Sequence, residues 1–140
     1  MPHIRETLAA GGSICIGPKG TSMLPLIRQG KDYAELSPLP GKLKKYDIPL
    51  YQRPSGQYVL HRIVRVGEDY TCMGDNQFQR ETGVKQEQLI AVVTAIYRGE
   101  KRVPVTTFSY RAYCRMWHWS RPIRRIFRRV RNSLSRLVHR

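Results

Sequence analysis

The apolar residues of the first hundred positions come in short runs separated by glycine and proline, and this feature constrains the fold more than any other. The longest alternating run, residues 57–66, has the period of a strand with one buried face. Residues 89–97 form a nearly continuous apolar run, which is typical of a strand in the middle of a sheet. Further strands are predicted over residues 13–17, 33–36, 46–52 and 70–73. We therefore expect a mainly β body of short, coiled antiparallel sheets.

Turn residues refine this prediction. Residues 4–10 are expected to form a short opening helix that Gly11 and Gly12 would end. Pro49 lies within one predicted strand and indicates an edge strand or a bulge, because proline has no N–H to donate. The Pro-Ser-Gly sequence of residues 54–56 predicts a turn, and hence a hairpin between the strands on either side.

Charge is distributed unevenly along the 140 residues. Residues 101–140 hold 12 of the 25 Lys and Arg residues and none of the 10 Asp and Glu residues. Residues 1–100 hold the remaining 13 basic residues and every acidic one, so they are close to neutral. We therefore expect a domain over residues 1–100 and a basic helical extension over residues 101–140.

The extension has the pattern of an amphipathic helix that begins near Pro122. At about 100° per residue, its apolar side chains fall within an arc of roughly 120°, and every arginine falls outside that arc. The apolar residues are Ile123, Ile126, Phe127, Val130, Leu134, Leu137 and Val138. This pattern predicts a basic amphipathic helix as the last element of the fold.

The partner of this helix is open at the level of the sequence. An anionic membrane surface, bound through residues 120–140, fits the arginines and the tryptophans Trp117 and Trp119 just before the helix. Packing of the apolar face on the body, with solvated arginines, is the alternative. Nucleic acid is a weaker interpretation, because no reader module accompanies the charge.

The sequence also bears on location and cofactors. No apolar run approaches the ~20 residues that a membrane-spanning helix needs, and the first 15 residues lack the apolar core of a signal peptide. Three cysteines, Cys15, Cys72 and Cys114, form no CxxC pair and are odd in number, which disfavours disulfides and zinc. We therefore expect a cytoplasmic protein, peripheral on the inner face of the membrane, with no metal or other cofactor.

Three short motifs contain residues that can do chemistry. Residues 20–25, Gly-Thr-Ser-Met-Leu-Pro, place Ser22 at a corner where glycine permits a close backbone approach and proline stiffens the exit. His61 and Arg62 lie in the best predicted strand, and residues 73–76, Met-Gly-Asp-Asn, contain Asp75. Each motif alone is equally compatible with an ordinary turn or strand. Their order along the chain is what indicates a functional site.

This order resembles that of the S24/S26 serine peptidases, a group that includes signal peptidases and LexA-type self-cleaving repressors. The resemblance covers residues 14–98 and includes the stretches 45–51 and 59–64. The His61-Arg62 pair is similar to the histidine-type signal peptidases of the archaeal, endoplasmic-reticulum and SipW-like branch, whereas other members use lysine. The resemblance implies a fold like that of LexA and the signal peptidases.

The resemblance also implies roles for individual residues. Ser22 would be the nucleophile and His61 the general base that takes its proton. Since an unperturbed imidazole titrates near ~6.5, activity is expected to rise with pH near neutrality. Either Asp75 or Glu81 would orient His61. Asp75 is preferred because its turn would fix it, and Glu81 stands where the histidine-type enzymes carry a second aspartate.

The same resemblance implies which residues would bind the substrate and the oxyanion. The Ser22 backbone N–H and a neighbour would form the oxyanion hole, and Gly20, Thr21, Met23 and Arg62 are the candidates for oxyanion and substrate binding. Two of these candidates have an alternative: Met23 would face either the core, which is preferred, or the substrate groove, and Arg62 would either pair with an acid or touch the substrate backbone. The implied substrate is an extended peptide or leader segment that binds as an added strand and is cut after a small residue.

Three functions remain open on the sequence alone. The first is a serine endopeptidase with a Ser-His mechanism, and the second is a catalytically silent module that binds peptide or membrane. The third is a self-cleaving LexA-like regulator, for which Ala10-Gly11 resembles the cleaved dipeptide. That dipeptide lies only 11 residues before Ser22, and no DNA-binding domain precedes it.

Overall fold

The computed structural model describes residues 2–18, 20 and 22–138, and it confirms a mainly β protein with antiparallel curled sheets and a C-terminal helix. The elements, in chain order, are α1 (Pro2–Ala9), β1 (Ile14–Ile16), β2 (Asp32–Ser37), β3 (Pro49–Gln52), β4 (Tyr58–Leu60), β5 (Arg62–Val66), β6 (Tyr70–Met73), β7 (Glu81–Val84), a 3₁₀ turn (Gln86–Gln88), β8 (Leu89–Arg98), β9 (Lys101–Pro104), α2 (Phe108–Trp119) and α3 (Arg121–Val138). The predicted opening helix and the strands near residues 14, 33, 70 and 90 are thereby confirmed.

The strands form two antiparallel sheets. The larger sheet has the order β1-β2-β8-β3-β4, with β9 also paired to β8, and the smaller sheet has the order β5-β6-β7. β8 pairs with β2 along one edge and with β3 and β9 along the other. Its residues from Leu89 to Ile96 are mostly buried, so the prediction of a central strand from the apolar run is confirmed.

The prediction of one continuous strand over residues 57–66 is wrong. The chain leaves the larger sheet after β4 and enters the smaller one at β5, with His61 between the two strands. All residues from Val59 to Val64 are buried, because this segment is covered on both sides as it passes between the sheets. Alternation of residue types carries no signal for such a change of partner strand.

Of the two predictions made from Pro49, an edge strand or a bulge, the edge strand is wrong. β3 lies between β8 and β4, so it is not an edge strand. Pro49 is its first residue, a position that proline tolerates. The register with β8 shifts between Leu50 and Tyr51, directly after the proline, which agrees with the predicted irregularity.

The predicted boundary between residues 100 and 101 falls inside the β8–β9 hairpin. α2 then packs onto the body, where Tyr110 and Cys114 join the main core with Met23, Leu36 and Ile96. Residues 101–119 are therefore part of the body, because they complete both its sheet and its core. Among the described elements that follow, α3 differs in that most of its side chains are exposed. Among the described helices, none is both long enough and apolar enough to cross a bilayer.

Candidate active site

Ser22 lies in the turn between β1 and β2. Gly20, two residues before Ser22, has a φ of +88°, in the left-handed region that glycine adopts without strain. A Cβ on Gly20 would meet no atom within 4 Å, so the backbone conformation, and not a close approach, calls for glycine there. Met23 follows with its side chain in the core and its carbonyl bonded to the N–H of Ile27 at 3.0 Å. Thr21 lies outside the described residues.

The Gly-Asp-Asn segment packs directly on Ser22. The backbone N–H of Asn76 donates to the carbonyl of Ser22 at 2.8 Å. A Cβ on Gly74 would lie 2.5 Å from that carbonyl oxygen and 3.1 Å from the Ser22 Cβ, so only glycine fits there. The structure thus joins two of the three predicted motifs and places the close approach at Gly74.

Asp75 is paired with Arg62, and both side chains are almost completely buried. Arg62 Nε donates to Oδ1 at 2.8 Å and Arg62 Nη2 to Oδ2 at 2.9 Å. The Tyr113 hydroxyl also donates to Oδ2, at 3.1 Å. Both carboxylate oxygens are therefore engaged by residues other than His61, and the Arg62 guanidinium is turned inward. These contacts do not include the one that the prediction of Asp75 as the acid that orients His61 requires. Arg62 takes the first of its two predicted roles, pairing with an acid, and not the second, contact with the substrate.

His61 lies at the junction of β4 and β5 and is only 7% exposed. Its Nδ1 is buried and has no hydrogen-bond partner in the described part of the chain. Burial lowers the pKa of His61 to about 4, and the positive charge of Arg53 acts in the same direction. The ring is therefore neutral at pH 7 and can accept a proton. The titration of His61 that was expected near neutrality therefore lies at lower pH. The sequence did not show that this histidine is buried.

Ser22 and His61 line one cavity of about 1120 Å³, together with Glu81. Gly20 also lines this cavity, whereas Asp75, Arg62 and Met23 are not among the residues that line it. Of the two candidate acids, the structure therefore places Glu81 in the same cavity as the serine and the histidine.

Arg53 and Tyr51 also belong to this site, although no sequence motif indicates a role for either residue. Arg53 lines the cavity, and its Nε donates to Glu81 Oε1 at 2.8 Å. The Tyr51 ring meets the His61 ring edge-on at 6.5 Å, and its buried hydroxyl has no hydrogen-bond partner among the described residues. The β3–β4 hairpin brings both residues beside His61. The turn at residues 54–56 was the one available signal for this proximity.

Residues of two strands, β1 and β4, line the cavity. Ile16 ends β1, and Tyr58, Val59 and Leu60 make up β4; all four line the cavity. These strands stand at the two ends of the strand order in the larger sheet, so each has one edge without a partner strand among the described residues. An exposed strand edge offers backbone N–H and C=O groups to an extended peptide.

Comparison with known proteins does not place the chain in a family. No protein-family model matches the chain, and no curated protein matches it. Within residues 2–18, 20 and 22–138, no three His, Cys, Asp or Glu side chains are grouped as metal ligands.

Proposed function

We propose that this protein is a serine endopeptidase that cuts an extended peptide or leader segment after a small residue. One observation carries the proposal: Ser22 and a neutral, buried His61 line the same cavity, although they come from different parts of the chain. The unpaired edges of β1 and β4 beside them suit a peptide bound as an added strand. The preference for a small residue before the cut comes from the resemblance to the S24/S26 peptidases.

The proposed reaction is an acyl transfer through Ser22. His61 takes the proton of the Ser22 hydroxyl as Oγ forms a bond to the substrate carbonyl carbon. His61 then donates that proton to the amide nitrogen as the C–N bond breaks, which leaves an acyl-enzyme. Water, activated by the same imidazole, hydrolyses this ester and regenerates Ser22. The backbone N–H groups of Ser22 and Met23 are assigned to the developing oxyanion.

Glu81 is the acid that we assign to His61. It lines the cavity, and its negative charge opposes the effect of burial on the pKa of His61 more than that of Asp75 does. Arg53 binds its Oε1 and so limits its motion. Asp75, by contrast, fixes the backbone next to Ser22 through its pair with Arg62, which makes it a positioning residue.

The proposal extends to the S24/S26 family and its LexA-like and signal-peptidase-like fold. Three features support it: the serine turn between the first two strands, the histidine at the passage between two curled sheets, and the Gly-Asp-Asn segment packed on the serine. Each corresponds to one of the motifs on which the resemblance was based.

The test is cleavage of a mixture of synthetic extended peptides that carry either small or bulky residues, read by mass spectrometry. The wild-type protein is expected to cut after Ala, Gly or Ser, and Ser22→Ala is expected to cut none of them, because the nucleophilic oxygen is gone. Ser55→Ala, which removes an exposed hydroxyl in the β3–β4 turn, is the matched control and should cleave normally. Peptide binding without cleavage by the wild type would instead establish a silent binding module.

A further inference from the structure

Exposed apolar side chains are concentrated in the last two helices. Among the described residues, ten large hydrophobic side chains are exposed. Eight of them lie in α2 and α3, and two, Tyr33 and Val66, lie in the rest of the chain. These eight are between 52% and 87% exposed: Phe108, Met116, Trp119, Ile123, Ile126, Phe127, Val130 and Leu134. A concentration of exposed apolar side chains of this kind is typical of a binding surface.

The orientation of α3 is the reverse of that of an ordinary surface helix. Its arginines make the contacts with the body: the Arg124 guanidinium lies 3.6 Å from the centre of the Trp117 ring and donates to the Asp75 carbonyl at 3.3 Å. Arg128 lies over the ring of Phe78 at 5.6 Å. At about 100° per residue, these arginines are on the side of the helix opposite Val130. Within the described residues, the apolar face therefore points away from the body, contrary to the interpretation in which it packs there.

Charge identifies what covers this face. Residues 101–140 contain no acidic side chain, so two copies packed through α3 would bring like charges together. Among the described residues, the arginines nearest the apolar arc are the exposed Arg129 on one side of it and the exposed Arg131 on the other. Long arginine side chains beside an apolar face reach lipid phosphates while that face enters the headgroup region. Nucleic acid would use the arginines and leave the apolar residues exposed.

We propose that α3, with the exposed residues of α2, lies in the plane of an anionic lipid surface and anchors the protein there. This inference is independent of the peptidase proposal, because it concerns other residues. It does have a consequence for position: Arg128 of the same helix also lines the cavity that contains Ser22. The anchored protein would hold that cavity next to the membrane.

The test is cosedimentation of the full chain with vesicles of phosphatidylglycerol and phosphatidylcholine, and with vesicles of phosphatidylcholine alone. The wild type is expected to prefer the anionic vesicles and to bind more weakly as salt rises. The double variant Ile126→Ser, Phe127→Ser should weaken binding about tenfold or more at unchanged charge, since it removes two side chains that enter the headgroup region. The control Asn132→Ala, Ser135→Ala changes two exposed residues outside the arc and should bind like the wild type.

Several results would overturn the anchor. Binding that responds to salt but ignores the two apolar replacements would mean a purely electrostatic tail. No vesicle binding by the wild type would exclude the lipid surface as the occupant. The apolar face would be assigned to a second copy of the chain by a third result. In that case the wild type does not bind vesicles and is a dimer by light scattering, and the double variant Ile126→Ser, Phe127→Ser is a monomer. Because all the replaced side chains are exposed, a circular dichroism spectrum unlike that of the wild type is not expected.

Discussion

Replacing His61 with glutamine is expected to lower the rate of peptide cleavage roughly a thousandfold, since removal of a general base typically costs 10²–10⁴-fold. Glutamine keeps the polarity of the side chain but cannot take the Ser22 proton. The measurement is the initial rate on the best peptide of the mixture, for the wild type and the variant. His118→Gln is the matched control, because His118 is a second partly buried imidazole that does not line the cavity. Equal losses in the two variants would contradict the role of His61.

The pH profile checks the same assignment in the wild-type protein. Because burial lowers the pKa of His61 to about 4, cleavage is expected to rise with pH around that value and to stay level through neutrality. Folding stability is expected to change with pH in the same direction as activity. A folded-state pKa below the ordinary ~6.5 means that the unfolded chain binds more protons between these values, so stability is lost as pH falls through that window. A rise in activity only above about pH 9 would instead indicate a lysine base.

Replacing Arg62 with methionine is expected to lower the free energy of unfolding by roughly 3–5 kcal/mol, the usual cost of removing one partner of a buried ion pair. Methionine fills much of the arginine's volume but leaves the Asp75 carboxylate buried without its cation. The variant also loses the hydrogen bonds from Arg62 Nη1 to the Tyr46 carbonyl at 2.9 Å and to Cys114 Sγ at 2.8 Å. Urea denaturation measures the change.

The control for this prediction is Arg102→Met. It breaks the pair between Arg102 and Glu35, in which the arginine side chain is 47% exposed, so its effect should be much smaller because water screens the charges. Equal midpoints and slopes for the two variants would show that the Arg62–Asp75 pair is not a main support of the fold.

The strands that the sequence predicted well are those with a simple environment. β8 is buried on both faces and has the sequence of an apolar run, and β6 has the predicted bounds, residues 70–73. The division of residues 57–66 into β4 and β5 was missed, because it depends on which strands lie alongside. Similarly, the boundary at residue 100 followed charge, whereas β9 and α2 join the body through hydrogen bonds and through the buried side chains of Tyr110 and Cys114.

The site was predictable to a different extent at each position. Ser22 and His61 were chosen from motif order, and the structure places both on one cavity. The role of Asp75 was not predictable, because the sequence does not show that Arg62 faces inward and engages both carboxylate oxygens. Arg53 was missed because it reaches the site through a hairpin. In α3, periodicity revealed an apolar arc but not that the arc faces away from the body.

Reaction with a fluorophosphonate probe, followed by peptide mapping of the adduct, is the most direct test of the Ser22–His61 centre. Such probes form a covalent bond with a serine hydroxyl that a neighbouring base activates. We predict one adduct on Ser22 in the wild type and in Ser55→Ala, and no adduct in Ser22→Ala or in His61→Gln. An adduct on a different serine, or labelling of Ser22 that persists at the wild-type rate in His61→Gln, would contradict the proposed centre.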